Sequence, residues 1–358
     1  MDLVMEIATT IVAQFQKPTL AFLIGGMLLA ALGGKLQMPP QAYQLIVLVL
    51  LLKIGMSAGA SIRAADPMEL LAPAIGAALL GVAIVVIGGR MLAGAGVSRM
   101  DAMATAGLFG AVSASTLAAA MAVLDDEGIA YEGFVGALYP FMDIAALVTA
   151  IVLAKMGERA AEAPSPNLGG AAGGAATMLP TRSSGPGGFN GTIFREVSIE
   201  SLRSPAISAL LLGLALGAFA QTQTVFESFY EPLFRGLLSL LMLAMGIEAW
   251  SRLSELRRVA HVYAIYAVTA PLIHGAAGLA VGIAAHHLTG FSAGGAVLLA
   301  VMAASSSDIS GPPTLRAALP EANASAYIGA STGLGTPVAI LSIPLFMALA
   351  DAAIGFGV

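Results

Sequence analysis

Long apolar stretches, each closed by a short cluster of polar, glycine or proline residues, recur along the whole chain. Many exceed the roughly 18 residues that mark a membrane-spanning helix. They predict spans near 18–34, 40–60, 68–94, 102–124 and 131–155, and a second set near 204–220, 233–251, 259–285, 291–318 and 325–352. Residues 156–203 between the sets are rich in Gly, Ala, Pro and Ser, as in Pro164-Ser165-Pro166 and Ser183-Ser184-Gly185-Pro186. Such a composition cannot bury enough apolar surface to offset the entropy of ordering, so a flexible linker is expected there. The expected fold is an all-α polytopic membrane protein with ten transmembrane helices. Residues 1–155 carry spans one to five and residues 204–358 carry spans six to ten.

The two sets repeat one another in order. Lys17-Pro18-Thr19 corresponds to Arg203-Ser204-Pro205, Ile54-Gly55-Met56 to Met245-Gly246-Ile247, and Tyr131-Glu132-Gly133 to Tyr327-Ile328-Gly329. Each set has an odd number of spans, so two copies in series must lie in opposite orientations. This is the inverted-repeat arrangement of secondary transporters.

Composition agrees with a membrane class. The chain is 58% hydrophobic and 10% charged, against about 25% charged in a typical soluble domain, and its mean hydropathy is +0.89. With both termini outside, twelve Lys and Arg residues fall on the inner side, from Lys35 through Arg316. Only Lys17, Arg63 and Arg235 fall outside, together with the acidic cluster Asp125, Asp126, Glu127 and Glu132. The positive-inside rule then puts the linker in the cytoplasm and the termini in the periplasm of a bacterial inner membrane. Asp2 and Glu6 stand where a basic leader would be, so no cleavable signal peptide is expected. The absence of cysteine excludes thiol chemistry and disulfides. No basic patch interleaved with aromatics points to nucleic acid.

Two spans are polar in the middle. Span four carries Ser113-Ala114-Ser115-Thr116, and span nine carries Ser305-Ser306-Ser307-Asp308-Ile309-Ser310-Gly311-Pro312-Pro313. The paired prolines must interrupt span nine, with Ser310 as the expected N-cap of a new half-helix. Backbone freed at membrane depth survives only where it lines a cavity or binds a solute. Half-helix N-termini suit an anion, while hydroxyls, carbonyls and a carboxylate suit a hard cation. Asp308 in the break and Asp143 in span five are functional candidates for the same reason. Each also has a structural reading: Asp143 as a helix cap or an ion-pair partner, Asp308 as a cap. Lys53 is expected to snorkel or to pair with an acid. His286 and His287 read as loop residues, His274 as a packing residue and Trp250 as interfacial.

At Ser113–Thr116, Tyr139-Pro140-Phe141-Met142-Asp143, Phe234–Ser239, Met245–Arg252, Ala304–Arg316 and Tyr327–Thr332, the chain resembles the SbtA family of sodium-dependent bicarbonate transporters. It departs from the family's usual pattern at Ala114, where Gly is usual, and at Ala145, where Pro is usual. The resemblance implies Na⁺-driven bicarbonate symport, a core moving against a scaffold, a homotrimer, and a PII-like regulatory protein at the cytoplasmic face. Carried over by motif, it implies an anion region at Ser113, Ser115, Thr116, Ser305, Ser306, Ser310 and Gly311. It implies a sodium region at Asp143, Ser307, Asp308 and Thr336. Two alternatives remain open from the residues themselves. One is a Na⁺-coupled carrier of another small anion, such as sulfate or a carboxylate. The other is an intramembrane aspartyl protease in which Asp143 and Asp308 share a proton.

Overall fold

The computed structural model describes residues 16–64, 67–162, 195, 198–199, 202–256 and 261–356. Among them all regular structure is helical. In chain order the helices are α1 (Pro18–Ala31), α2 (Pro40–Ala64), α3 (Pro67–Gly94), α4 (Arg99–Gly110), α5 (Ala114–Asp126), α6 (Tyr139–Glu162), α7 (Pro205–Phe219) and α8 (Glu231–Leu256). They continue as α9 (His261–Thr289), α10 (Ala293–Ala304), α11 (Gly311–Ala318), α12 (Ala324–Leu341) and α13 (Ile343–Ile354). Among the described residues six helical stretches are long and apolar enough to cross a membrane, with α4 and α5 taken together as one, or seven if α12 and α13, bent by 41°, count as one span. The helices α1, α7 and α10 are apolar but shorter.

Local chemistry sets the helix ends. Proline opens α1, α2, α3 and α7, where its missing N–H would have no partner anyway. Ser98, Ser204 and Ser292 cap α4, α7 and α10 by accepting from the backbone N–H of Asp101, Ile207 and Gly295. The first span, expected to reach residue 34, stops at Ala31, and Gly33 turns the chain at φ +83°. His286 and His287, expected in a loop, instead occupy the last turn of α9. The expected linker starts late, because α6 continues through Glu162. From 163 to 203 it lies mostly outside the described residues.

The helices pack in two groups. In the first, α1 lies against α8 and α2 against α7. Glycines make both crossings: Gly26 abuts the Leu243 backbone, Gly246 that of Leu23, Gly55 that of Leu210 and Gly217 that of Met56. A methyl group at Gly213 would lie 2.6 Å from the Leu52 carbonyl oxygen. Lipid supplies no hydrophobic drive between helices, so close van der Waals approach of backbones holds such pairs. The second group joins α3, α4 and α6 with α9, α10 and α13. Here α4 and α10, and α5 packed between the two groups, are buried along their whole length apart from a few terminal residues.

Charged contacts define the two ends of the bundle. At one end Lys17 pairs with Glu127 at 2.8 Å and Arg235 with Asp126 at 2.6 Å, joining the first group to the tip of α5. The Glu127 hydrogen bond raises the Lys17 ammonium above its ordinary value. The Tyr131 hydroxyl, raised by burial and by the neighbouring Asp125, donates to that carboxylate at 2.8 Å. Glu132 accepts from the Ser292 N–H at 2.6 Å and from its hydroxyl at 2.8 Å, placing a negative charge on the N-terminus of α10. Glu132→Ala should cost about 1–3 kcal/mol, since it leaves these donors without an ionised acceptor. The check is a lower midpoint of thermal unfolding in detergent. At the opposite end, Asp101 accepts from the Asn323 backbone at 2.6 Å.

Among the described residues Lys53 has no ion-pair partner at short range. Its ammonium lies 4.4 Å from the centre of the Phe234 ring and 5.7 Å from that of Phe226, a cation–π arrangement within the apolar span.

Candidate functional site

The chain leaves the helix at Ala111–Ser113, between α4 and α5, and again at Ser305–Ser310, between α10 and α11. Ala111, Ser113 and Ser305 are extended. Each break satisfies the polar groups that the other exposes. The Ser307 N–H donates to Leu108 O, in the last turn of α4, at 2.8 Å. The Ser113 N–H donates to the Ser305 hydroxyl oxygen at 3.0 Å, and that hydroxyl donates to Met302 O at 2.7 Å. Backbone that could not face lipid is thus paired inside the protein.

Asp143, on the first turns of α6, joins the two breaks. Its carboxylate accepts from the Val112 N–H at 3.1 Å, in the first break, and from the Ser310 hydroxyl at 3.1 Å, in the second. Tyr139, one helical turn earlier, lies 3.2 Å from the same Ser310 hydroxyl. Asp143 is fully buried. Ser310 holds the N-cap position that the sequence predicts, with helix-like dihedral angles, but its side chain makes no capping bond. Ser307 takes that role, its hydroxyl oxygen accepting from the Gly311 N–H at 2.8 Å.

Asp308 is built differently. It is partly exposed, and its Oδ2 accepts from the Ser115 hydroxyl on α5 and, at 3.1 Å, from the Tyr43 hydroxyl on α2. Ser113 accepts from the N–H and the hydroxyl of Thr116, and its hydroxyl lies 3.0 Å from that of Ser115. Two cavities meet at this carboxylate. One, of about 580 Å³, is lined by Tyr43, Met245, Glu248, Asp308, Pro312, Pro313, Arg316, Thr332 and Thr336. The other, of about 850 Å³, includes Gln37, Tyr43, Gln44, Glu248, Ser251, Asp308 and Pro313. A third cluster lies beside them: the Ser306 and Thr336 hydroxyls are 3.1 Å apart, and both reach Ser331 O.

The residues named from the sequence therefore converge on one region but in three groups. Ser113, Ser115 and Thr116 stand with Asp308; Ser307, Ser310 and Gly311 with Asp143; Ser306 with Thr336. Ser305 ties the first group to α10. The sodium set read from the motif is divided among all three. Asp143 and Asp308 take different partners, which departs from the shared-proton geometry of an aspartyl protease. Sequence reasoning missed Tyr43, Tyr139 and Ser331. Tyr139 had a signal, standing four residues before Asp143 on one helix face. Tyr43 had none, since its partner is 265 residues away.

The two half-helix N-termini are not equivalent as anion sites. On α11 the first turn reads Gly311-Pro312-Pro313. Two of those residues have no N–H, and the Gly311 N–H already binds Ser307. On α5 the first turn reads Ala114-Ser115-Thr116, each residue carrying an N–H, of which that of Thr116 already donates to the Ser113 hydroxyl. The N-terminus of α5 therefore carries more backbone donors than that of α11. Among the described residues no group of three or more His, Asp or Glu side chains could hold a metal ion. Hydroxyls, carbonyls and the Asp308 carboxylate, with Glu248 also in the cavity walls, form a donor set that suits a hard cation better than a transition metal.

No curated protein matches the chain. The sequence model of the Na⁺-dependent bicarbonate transporter superfamily matches residues 18–351, which include both breaks, both aspartates and Tyr43.

Proposed function

The chain belongs to the Na⁺-dependent bicarbonate transporter superfamily, and from that premise we propose that it imports bicarbonate by Na⁺ symport with alternating access. The observation that carries this reading is Asp308. It is a carboxylate at the meeting point of two cavities, held by a hydroxyl from the opposite break. In this reading Na⁺ sits at Asp308 with the Ser115 hydroxyl, and Thr336 and Ser306 supply oxygen nearby. Bicarbonate sits at the N-terminus of α5, where Ser115, Thr116 and the backbone N–H groups can hold a small monoanion without an arginine. Asp143 has both breaks as partners already. Its role is to keep them in register for the two solutes.

The glycine crossings support ten spans in inverted repeats. If span one corresponds to six and span two to seven, then the pairing of α1 with α8 mirrors the pairing of α7 with α2. The mobile unit is then the second group, which contains both breaks, and α1, α2, α7 and α8 form the scaffold. The cavity walls include Gln37, Ser251 and Arg316, which lie on the side the Lys and Arg count assigns to the cytoplasm, and in this reading the cavities open there. The other end is tied by Lys17–Glu127 and Arg235–Asp126. This geometry corresponds to the inward-open form of a carrier in the bacterial inner membrane with periplasmic termini. A homotrimer and a PII-like partner belong to the same reading, on the strength of the resemblance alone.

The test is uptake of labelled bicarbonate into vesicles containing the purified protein, with and without an inward Na⁺ gradient. Uptake should rise with the gradient and collapse when K⁺ replaces Na⁺. Uptake indifferent to Na⁺ would remove symport, and Na⁺-driven uptake of sulfate or a carboxylate in place of bicarbonate would reassign the anion.

A further inference from the structure

Tyr43 reaches the candidate cation site from the other helix group. It stands on α2, in the group held by glycine crossings, and its hydroxyl donates to Asp308 Oδ2 at 3.1 Å. Ser115, the other donor to this oxygen, stands at the start of α5, and the Ser113 N–H bond to the Ser305 hydroxyl ties that start to the break that carries Asp308. If the groups move against each other, Ser115 travels with Asp308 and Tyr43 does not. Both cavities include Tyr43 and Asp308 in their walls, so this bond lies on the route between the carboxylate and the open end.

A tyrosine O–H and a Na⁺ ion compete for the same lone pairs. A carboxylate oxygen that accepts the hydroxyl proton presents less negative charge to a cation, and the proton stands where the cation would approach. A group that fills a ligand's place in one conformation lowers affinity in that conformation alone.

We propose that Tyr43 displaces Na⁺ from Asp308 in the form open toward Gln37 and Arg316, and so unloads the cation on that side. The proposal rests on the assignment of Na⁺ to Asp308 made above. When the second group shifts, Asp308 leaves the reach of α2, keeps its Ser115 partner and regains full affinity. Affinity is then low on the release side and high on the loading side. Uniform affinity would leave the cation bound where it has to leave.

The experiment uses the full-length protein in vesicles of uniform orientation. Initial uptake of labelled bicarbonate is measured at fixed external Na⁺ while internal Na⁺ is stepped. Internal Na⁺ slows uptake by rebinding to the inward-open form. In Tyr43→Phe the half-inhibiting internal concentration should fall roughly tenfold, the order set by one hydrogen bond to a charged group. Half-saturation by external Na⁺ should stay near wild type. An unchanged or raised internal value, or equal shifts on both sides, would overturn the proposal. If the variant transports too slowly to measure, stabilisation of the purified protein by NaCl against heat replaces uptake. Tyr43→Phe must then reach half-effect at lower Na⁺ than wild type, and failure to do so overturns the proposal equally. A wild-type protein whose uptake ignores Na⁺ on both sides would instead bring down the assignment of Asp308 to the cation.

Discussion

Asp308→Ala is expected to abolish Na⁺-driven bicarbonate uptake while leaving the protein folded in the membrane. The loss follows from the donor set: Asp308 supplies the carboxylate at the breaks, where the Ser115, Ser306 and Thr336 hydroxyls beside it are neutral, and Glu248, the other acid in the cavity walls, stands on α8 in the first helix group. A carboxylate contributing about 3 kcal/mol to cation binding shifts half-saturation by roughly a hundredfold. Folding is spared for a separate reason. A charge at membrane depth is costly, so its removal relieves the fold. The two hydroxyls that lose an acceptor, on Ser115 and Tyr43, stand beside cavities large enough for water to replace it. Uptake at background level together with wild-type elution and helicity is the expected pair of results. Uptake near the wild-type rate would refute the assignment.

Gly26→Val is expected to remove most folded protein, whereas Gly25→Val, one position away, should be tolerated. A Cβ at Gly26 would run into the Leu243 carbonyl oxygen and lie 3.1 Å from the Ile247 backbone nitrogen. These neighbours are backbone, so no rotamer change relieves the clash and α1 must move away from α8. Overpacking of this kind costs about 3 kcal/mol at the upper end of its usual range. A Cβ at Gly25 meets nothing within 4 Å. Monodisperse yield after extraction measures the contrast, and equal yields would show that the crossing does not depend on close approach.

Much of this architecture was legible in the order of residues. The apolar runs gave the helices because a membrane-spanning segment has to satisfy its own backbone, which leaves few options besides helix. Pro312-Pro313 and the two serine runs located both interruptions, since proline and clustered hydroxyls leave few other readings at that depth. What escaped is what depends on chain folding back on itself. Ser310 was the natural cap by adjacency, yet Ser307 reaches the Gly311 N–H, because the break curls before α11 starts. Asp143 reads from the motif as a solute ligand, and the order of residues gives no sign that the Val112 N–H and the Ser310 hydroxyl are its partners. Periodicity cannot signal a backbone partner on another helix. His286 and His287 read as loop because polar pairs punctuate apolar runs, but α9 carries its last turn past the apolar stretch.

The pairing of α1 with α8 and of α2 with α7 also bears on biosynthesis. When the ribosome has delivered only residues through α6, the glycine faces of α1 and α2 have no partners in the bilayer. The first helix group closes only after α8 is inserted, so assembly waits on the second half of translation, and the early helices must persist as separately inserted rods until then.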